Sequence, residues 1–545
     1  MKSVFLVLIL VTQFTIGQRL SKFDKAVIEN LKTEISYLAS DELQGRRTGT
    51  AGEKMASEYL SAQFGKAGLL PKGDANSFIQ SFEINEGKQI LPSTHLIINE
   101  ESFEAGKDFF PFIFSGQGAI TANASSAFKE KGMPWFWDIN EALEENSNNP
   151  HFDLLNAIRN KAIEFSGMGA SACIVFNSSG IDDNLSFDGK SDMPQVKIPV
   201  VYLSKNVSQK YLSDRSASVN IDCEIAIGDK KRTGHNVIGY IDNGAAHTII
   251  LGAHYDHLGS GQDHNSLWTG KPAIHNGADD NASGIAAVIE LAKYLKSSKL
   301  KNNNYLFICF SGEELGLYGS KYFTSHPTIP LETVNYMINC DMVGRLNDST
   351  HALNVGGYGT SPVWSKVLPE KTKTLSVKFD SSGIGPSDHT SFYLKDIPVL
   401  FFFTGIHSDY HKPTDDVDKI NFNGELRIIQ YIEGVLKETN KTGKLPFLKT
   451  REPQMGSTPR FTVTLGIMPD YSYKGLGVRA DAILDGRTAQ KAGMMPGDVV
   501  IKLGDYTITD IYNYMDALSK YKKGEATTVT VLRENKTITL DIIFK

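Results

Sequence analysis

Between Gly234 and Gly443 the sequence alternates short, almost uninterrupted apolar runs with polar loops and an amphipathic segment. The apolar runs are HTIILGA, YLFICFSG, VNYMINC and IPVLFFF, and they are rich in β-branched and aromatic residues, as strands buried on both faces require. The segment NASGIAAVIELAKYLKSS repeats its apolar residues at helical spacing. This order predicts an α/β fold, a sandwich whose mostly parallel central sheet is covered by helices.

Acidic and histidine residues follow these runs. AHYDHLG, SGEELG, Asp341 and SDYHKPTDD each come just after an apolar run, and NGADDNASG opens the amphipathic helix. Because ligands bind beyond the carboxyl ends of strands in open parallel sheets, we expect these residues to meet at one edge. The candidates are His254, Asp256, Asp279, Asp280, Glu313, Glu314, Asp341 and His411.

Adjacent carboxylates at Glu313 and Glu314, beside a core strand, require positive charge nearby, because an unpaired buried charge is costly. Imidazole and carboxylate together favour zinc, and more than four candidate ligands indicate two ions. Two Zn²⁺ ions would balance ligands such as Asp279, Glu314 and Asp341 together with an activated water. Glu313 is then left as a general base for that water.

The chain resembles the co-catalytic di-zinc aminopeptidases, a family that includes bacterial leucyl-type aminopeptidases and glutamate carboxypeptidase relatives. The strings that carry the resemblance are LASDELQGRRTGTAGE, GAHYDHLG, NGADDNASG, SGEELGLYGS, NCDMVG, PSDHTSF and YHKPTDD, in the family's order. The resemblance implies five metal ligands, with Asp279 bridging the ions: His254, Asp279, Glu314, Asp341 and His411. It also implies that Glu313 is the general base and that Tyr410 binds the oxyanion.

The same resemblance implies residues that support the ligands. Asp256 would orient His254, and Asp415 could orient His411. A cis peptide is expected after the bridging aspartate, between Asp279 and Asp280.

The chain is predicted to contain several parts. Residues 1–17 resemble a secretory signal peptide, 18–105 and 231–445 form the zinc peptidase domain, and 106–230 resemble an inserted, β-rich protease-associated domain. Residues 456–545 resemble a PDZ domain, with GLGV as the loop that would hold a peptide C-terminus.

Composition limits the partners and the location. The net charge of −6 without a basic stripe gives no reason to expect a nucleic-acid partner. No segment after residue 17 is long enough to span a membrane, and no Cys lies near the expected cleavage site after Gly17. We therefore expect no stable membrane anchor. The protein is therefore expected to be exported, to the periplasm or the medium. Cys309 and Cys340 should be reduced, whereas pairing of Cys173 with Cys223 stays open.

The predicted function is removal of N-terminal residues from peptides by an exported metalloaminopeptidase. Two alternatives use the same metal site, a carboxypeptidase or dipeptidase and a glutaminyl cyclase. A third is a catalytically silent peptide-binding scaffold.

Overall fold

The computed structural model describes residues 20–544 apart from 148, 150, 151, 192, 264, 451–462, 470–474, 484–486, 510 and 535. The predicted signal peptide, residues 1–17, lies outside the described residues.

Helices and strands alternate along most of the described chain. The helices are α1 (Lys22–Leu38), α2 (Ala51–Lys66), α3 (Asn140–Glu145), α4 (Leu154–Met168), α5 (Lys205–Tyr211), α6 (Gly284–Ser297), α7 (Tyr318–Ser325), α8 (Trp364–Val367), α9 (His389–Tyr393), α10 (Phe422–Thr439), α11 (Thr488–Lys491) and α12 (Ile511–Ser519). The strands are β1 (Leu70–Pro71), β2 (Ile79–Ile90), β3 (His95–Ile98), β4 (Glu101–Phe103), β5 (Phe109–Pro111), β6 (Gly118–Ser125), β7 (Pro134–Asp138), β8 (Ala172–Phe176), β9 (Val200–Leu203), β10 (Ser218–Ile225), β11 (Ile227–Ile241), β12 (Thr248–His254), β13 (Asn304–Phe310), β14 (Val334–Cys340), β15 (Ala352–Gly356), β16 (Ser376–Phe379), β17 (Val399–Phe403), β18 (Ile467–Pro469), β19 (Val478–Ile483), β20 (Val499–Leu503), β21 (Tyr506–Thr507), β22 (Ala526–Arg533) and β23 (Lys536–Ile543).

The largest sheet has the order β1-β11-β13-β12-β14-β17-β15-β16, with β2 paired to β11. Its central strands β13, β12, β14 and β17 are parallel, and antiparallel pairs flank them. Alternate residues of β12 enter two separate cores, because successive side chains of a strand point to opposite faces. Helices α1, α6 and α10 cover one face, and α7 and α9 cover the other. The predicted α/β sandwich is confirmed.

The register of the central strands decides where their loops meet. His254 at the end of β12 lies opposite Phe310, the last residue of β13, and β12 runs parallel to β14 as well. The loops that follow β12, β13 and β14 therefore leave the sheet side by side. His254 ends β12, and the loops after β13 and β14 carry Glu313, Glu314 and Asp341.

Residues Glu83–Arg232 form a compact unit of their own. It contains two four-stranded sheets, with the orders β4-β3-β10-β6 and β5-β9-β8-β7. The unit begins earlier than the predicted boundary at 106, because β3 and β4 pair within its sheet and not with the main sheet. Its identification as a protease-associated domain stays a prediction.

The C-terminal segment forms an antiparallel sheet with the order β18-β19-β20-β22-β23, and β21 pairs with β20. Its core includes Leu465, Val500, Val529 and Val531, all fully buried. Strand β19, which begins at the end of GLGV, pairs with β20 through Val478 and Arg479 and with β18 from Ala480 onward. Among the described strands β18 lies at the edge of this sheet.

All four cysteines are buried and none forms a disulfide. The expectation for Cys309 and Cys340 is confirmed, and the open question of a bond between Cys173 and Cys223 is answered in the negative. Among the described residues we find no helix with both the length and the apolar content needed to cross a bilayer.

Candidate metal centre

Two imidazoles at the carboxyl edge of the central sheet are held in the same way. The Nδ1 atom of His254 is 3.1 Å from the carbonyl oxygen of Asp256, and Nδ1 of His411 is 2.9 Å from the carbonyl oxygen of Asn265. A carbonyl can only accept, so each Nδ1 carries the proton and each Nε2 presents its lone pair. This arrangement is typical of metal-binding histidines.

Each Nε2 atom faces two carboxylates. Nε2 of His254 is 3.3 Å from Asp280 Oδ1 and 3.5 Å from Asp341 Oδ1. Nε2 of His411 is 3.4 Å from Asp280 Oδ2 and 3.2 Å from Glu314 Oε2.

These separations exceed the ~2.7–2.9 Å of charge-assisted hydrogen bonds. They match the ~3.4 Å between two atoms that each lie about 2.1 Å from one tetrahedral zinc ion. The donor set of imidazole and carboxylate also suits zinc. The residues present therefore fit the metal.

Asp279, the predicted bridging residue, does not lie between the two imidazoles, and its neighbour Asp280 does. Asp280 directs one oxygen toward each imidazole. Asp279 instead accepts hydrogen bonds at Oδ1 from the Gly344 amide, 2.7 Å, and the Ser283 hydroxyl, 3.0 Å. Its Oδ2 lies 3.2 Å from Nε2 of His407. Asp279 thus holds neighbouring segments together behind the centre.

The cis peptide also lies one residue later than predicted, between Asp280 and Asn281. The carboxylate of Asp415 supports this turn and does not contact His411 as expected. Its Oδ2 accepts from the amides of both Asp279 and Asp280 at 3.0 Å. Burial, and then the charge of Asp279, raise the pKa of Asp415 to about 6.

Asp256 is fully buried and supports the centre through two routes. Its carbonyl holds His254, as described above, while its carboxylate stands 3.7 Å from that ring. The carboxylate accepts from the Thr48 hydroxyl at 2.9 Å and from the Glu313 amide at 3.2 Å. Asp256 therefore orients both an imidazole and the backbone of the predicted base.

The charges of the centre compensate one another. Burial opposes ionisation of Glu314, yet His411 and His257 lower its pKa to about 2. Although burial works against it, the charge of Glu314 raises the pKa of His411. Burial raises the pKa of Glu313 well above its usual range, and Glu314 and Asp341 add to the effect. Metal cations bound at this edge would balance the negative charge of the carboxylates, so that protonated histidines are not needed for this.

Arg46 is a supporting residue that sequence reasoning missed. Its side chain is fully buried and donates to the carbonyls of Tyr255 at 2.6 Å, Asn276 at 2.6 Å and Gly277 at 3.0 Å, and also to that of Leu38. Burial lowers its pKa to about 10, so the guanidinium stays charged at neutral pH. The Gly-Arg-Arg sequence inside a family motif was the signal that could have identified it.

Three further candidates line the same region. The ring of Tyr410 stacks on His411 with 3.9 Å between centroids. Asp388 and His389 are buried, and burial raises the pKa of Asp388 to about 7 and lowers that of His389 to about 3. His389 stacks on Phe401 at 4.4 Å.

Comparison with known proteins gives two family matches. Residues 236–435 match Peptidase family M28, and residues 463–544 match the PDZ domain. The aminopeptidase YwaD of Bacillus subtilis is 27% identical over 316 residues, which are 54% of this chain and 62% of that protein. Leupeptin-inactivating enzyme 1 of Streptomyces exfoliatus is 30% identical over 192 residues, 34% of this chain and 39% of that protein.

The chain thus spans less than two thirds of the length of these curated relatives. Among solved structures, an aminopeptidase from Aneurinibacillus sp. strain AM-1 is 22% identical, with 79% of this chain and 97% of that chain covered and a TM-score of 0.40.

Proposed function

We propose that this chain, whose residues 236–435 match Peptidase family M28 and whose residues 463–544 match the PDZ domain, is an exported zinc aminopeptidase that hydrolyses N-terminal residues of peptides. One observation carries the proposal: the Nε2 atoms of His254 and His411 lie 3.2–3.5 Å from their facing carboxylate oxygens. This is the spacing expected between two ligands of one zinc ion, and it is longer than a charge-assisted hydrogen bond.

Two ions would be held. His254 and Asp341 would hold the first, Glu314 and His411 would hold the second, and Asp280 would be shared between them. Bound there, zinc would polarise the scissile carbonyl and make a nearby water more acidic.

The chain's own residues handle the proton and the geometry. Glu313 accepts a proton from the attacking water and passes it to the leaving amine. Its backbone is fixed by the 3.2 Å hydrogen bond from its amide to Asp256. Tyr410, stacked on His411, would donate a hydrogen bond from its hydroxyl to the carbonyl oxygen as negative charge develops there.

A panel of peptides tests the proposal. The panel contains aminoacyl substrates with a free amine, the same substrates with the amine acylated, and peptides with a free C-terminus. We expect cleavage of the free-amine substrates alone, lost on adding a chelator and restored by zinc. Cleavage from the C-terminus, or cyclisation of N-terminal glutamine with one zinc per chain, would contradict it.

Replacing the proposed base separates chemistry from metal binding. Glu313→Gln should lower kcat by at least about 100-fold, the lower end of the contribution of general acid–base catalysis. Its zinc content should stay at two ions per chain by elemental analysis. Unchanged turnover would remove Glu313 from the mechanism.

The PDZ domain extends the proposal to a second peptide contact. A peptide C-terminus binds such a domain as an added strand, which requires an unpaired strand edge. Val478, the last residue of GLGV, and Arg479 pair with β20 on one side, whereas β18 pairs only with β19 residues from Ala480 onward. The other edge of Val478 and Arg479 has no partner among the described strands. The added strand would therefore lie along the open edge of β19 at Val478 and Arg479.

A further inference from the structure

His257 contacts the centre in a manner different from His254 and His411. Its Nδ1 lies 2.7 Å from Glu314 Oε1, and both side chains are buried. Although His257, Asp280 and Glu314 bring ligand-type atoms within 4.8 Å of one another, the 2.7 Å separation is a hydrogen-bond length. It is shorter than the ~3.4 Å expected between two ligands of one tetrahedral ion.

The direction of this hydrogen bond follows from its acceptor. An ionised carboxylate only accepts, so Nδ1 of His257 carries the proton. The Nε2 atom of His257 is buried and has no hydrogen-bond partner among the described residues. The ring therefore makes one hydrogen bond within the described protein, and its partner is Glu314.

Several contacts fix the position of the ring. The backbone amide of His257 donates to the carbonyl of Arg46 at 3.3 Å. Gly277, at a φ of +57°, leaves room for it, because a Cβ there would stand 2.5 Å from Cδ2 of His257. These contacts thus fix the position of the imidazole beside Glu314.

We propose that His257 is a positioning residue that occupies Oε1 of Glu314 and leaves only Oε2 for the second zinc ion. The proposal rests on the proposed two-zinc function. A carboxylate with both oxygens open can bind an ion through either oxygen or both, so the bond from Nδ1 selects one geometry. The selected oxygen, Oε2, is the one 3.2 Å from Nε2 of His411.

Two substitutions at one position test the hydrogen bond. In His257→Asn the Nδ2 amide takes the place of Nδ1 as donor, whereas His257→Ala has no donor. We expect the alanine variant to bind one of its two zinc ions 10- to 100-fold more weakly, the range for partners that orient a ligand. The asparagine variant should stay close to the unchanged protein, and the other zinc ion should keep its affinity in both.

Zinc affinity is measured by competition with a chelating indicator, starting from metal-free full-length protein. His351→Ala is the matched control, because the Nδ1 of His351 meets the carbonyl of Thr374 away from the centre. Thermal unfolding of the metal-free variants identifies any that do not fold. Glu314→Gln should weaken the same ion as His257→Ala.

Cobalt substitution gives a readout independent of turnover. In His257→Ala, Oε1 of Glu314 becomes free to bind the metal, which should raise the coordination number of bound Co²⁺ and reduce its visible absorption. In His257→Asn the spectrum should return to that of the unchanged protein. Equal loss of zinc affinity in His257→Ala and His257→Asn would identify His257 as a direct ligand and overturn the proposal. Unaltered zinc affinity and cobalt spectrum in the alanine variant would overturn it as well. If the unchanged protein took up no zinc, the proposed function itself would fail.

Discussion

Replacing Asp279 and Asp280 by asparagine, one at a time, tests which of them bridges the two proposed zinc ions. Asp280→Asn leaves one neutral oxygen where two charged oxygens faced His254 and His411. Zinc held by four protein ligands gains about 10–16 kcal/mol, which is about 2.5–4 kcal/mol for each ligand. Loss of one ligand should therefore weaken zinc binding about 100- to 1000-fold. At least one of the two ions should be affected to this extent.

Asp279→Asn is the control, with the same chemical change one residue away. The amide oxygen can still accept from Gly344 and Ser283, and the new NH₂ group faces Nε2 of His407 at 3.2 Å. Zinc affinity should fall less than about tenfold, the lower end of the range for outer partners. Chelator competition and elemental analysis measure both variants, with thermal unfolding of the metal-free protein as the check on folding. Full zinc occupancy in Asp280→Asn together with loss in Asp279→Asn would refute the reasoning.

Two other predictions concern stability and the PDZ domain. Burial raises the pKa of Glu34 from 4.5 to about 7, even though Lys293 lies 2.7 Å away, so the folded protein keeps a proton that the unfolded chain releases. The free energy of unfolding should therefore fall by about 3 kcal/mol as the pH rises from 4.5 to 7. Glu34→Gln should remove that fall in denaturant titrations, and an unaltered pH dependence would contradict the assignment. For the PDZ domain, a peptide with a free C-terminus should slow amide hydrogen exchange at Val478 and Arg479 of the full chain, and its amidated form should not. Slowing confined to β18 would contradict this placement.

The sheet and most of its carboxyl-edge residues follow from the sequence because the signals are local. Apolar runs of five to eight residues specify buried strands, and parallel strands bring the following loops to one edge. His254 and Asp341 lie at or directly after strand ends, so little backbone separates them from the predicted edge. Glu314 and His411 follow their strands by several residues and still reach it.

The choice between Asp279 and Asp280 could not be made in this way. Both belong to one irregular turn, Ala278–Ser283, in which side chains follow neither helical nor strand periodicity. The turn is set by contacts distant in the chain, above all the two amide hydrogen bonds to Asp415. Balancing the charge of two zinc ions fixes only the number of carboxylates required. It cannot distinguish between two adjacent aspartates.

The segment around Arg46 explains why a motif far from the centre in sequence belongs with it. Thr48 donates to Asp256, about 200 residues further along, and Arg46 binds the carbonyls of Tyr255 and Gly277. These contacts hold the backbone directly after His254 and directly before the turn that presents Asp280. The atoms that bind a metal ion must stay within a few tenths of an ångström of their required positions. The guanidinium of Arg46, bound to neutral carbonyls, can hold the backbone that carries these atoms. It fixes both loops without competing with the ions for their carboxylates, which an arginine paired to Asp280 would do.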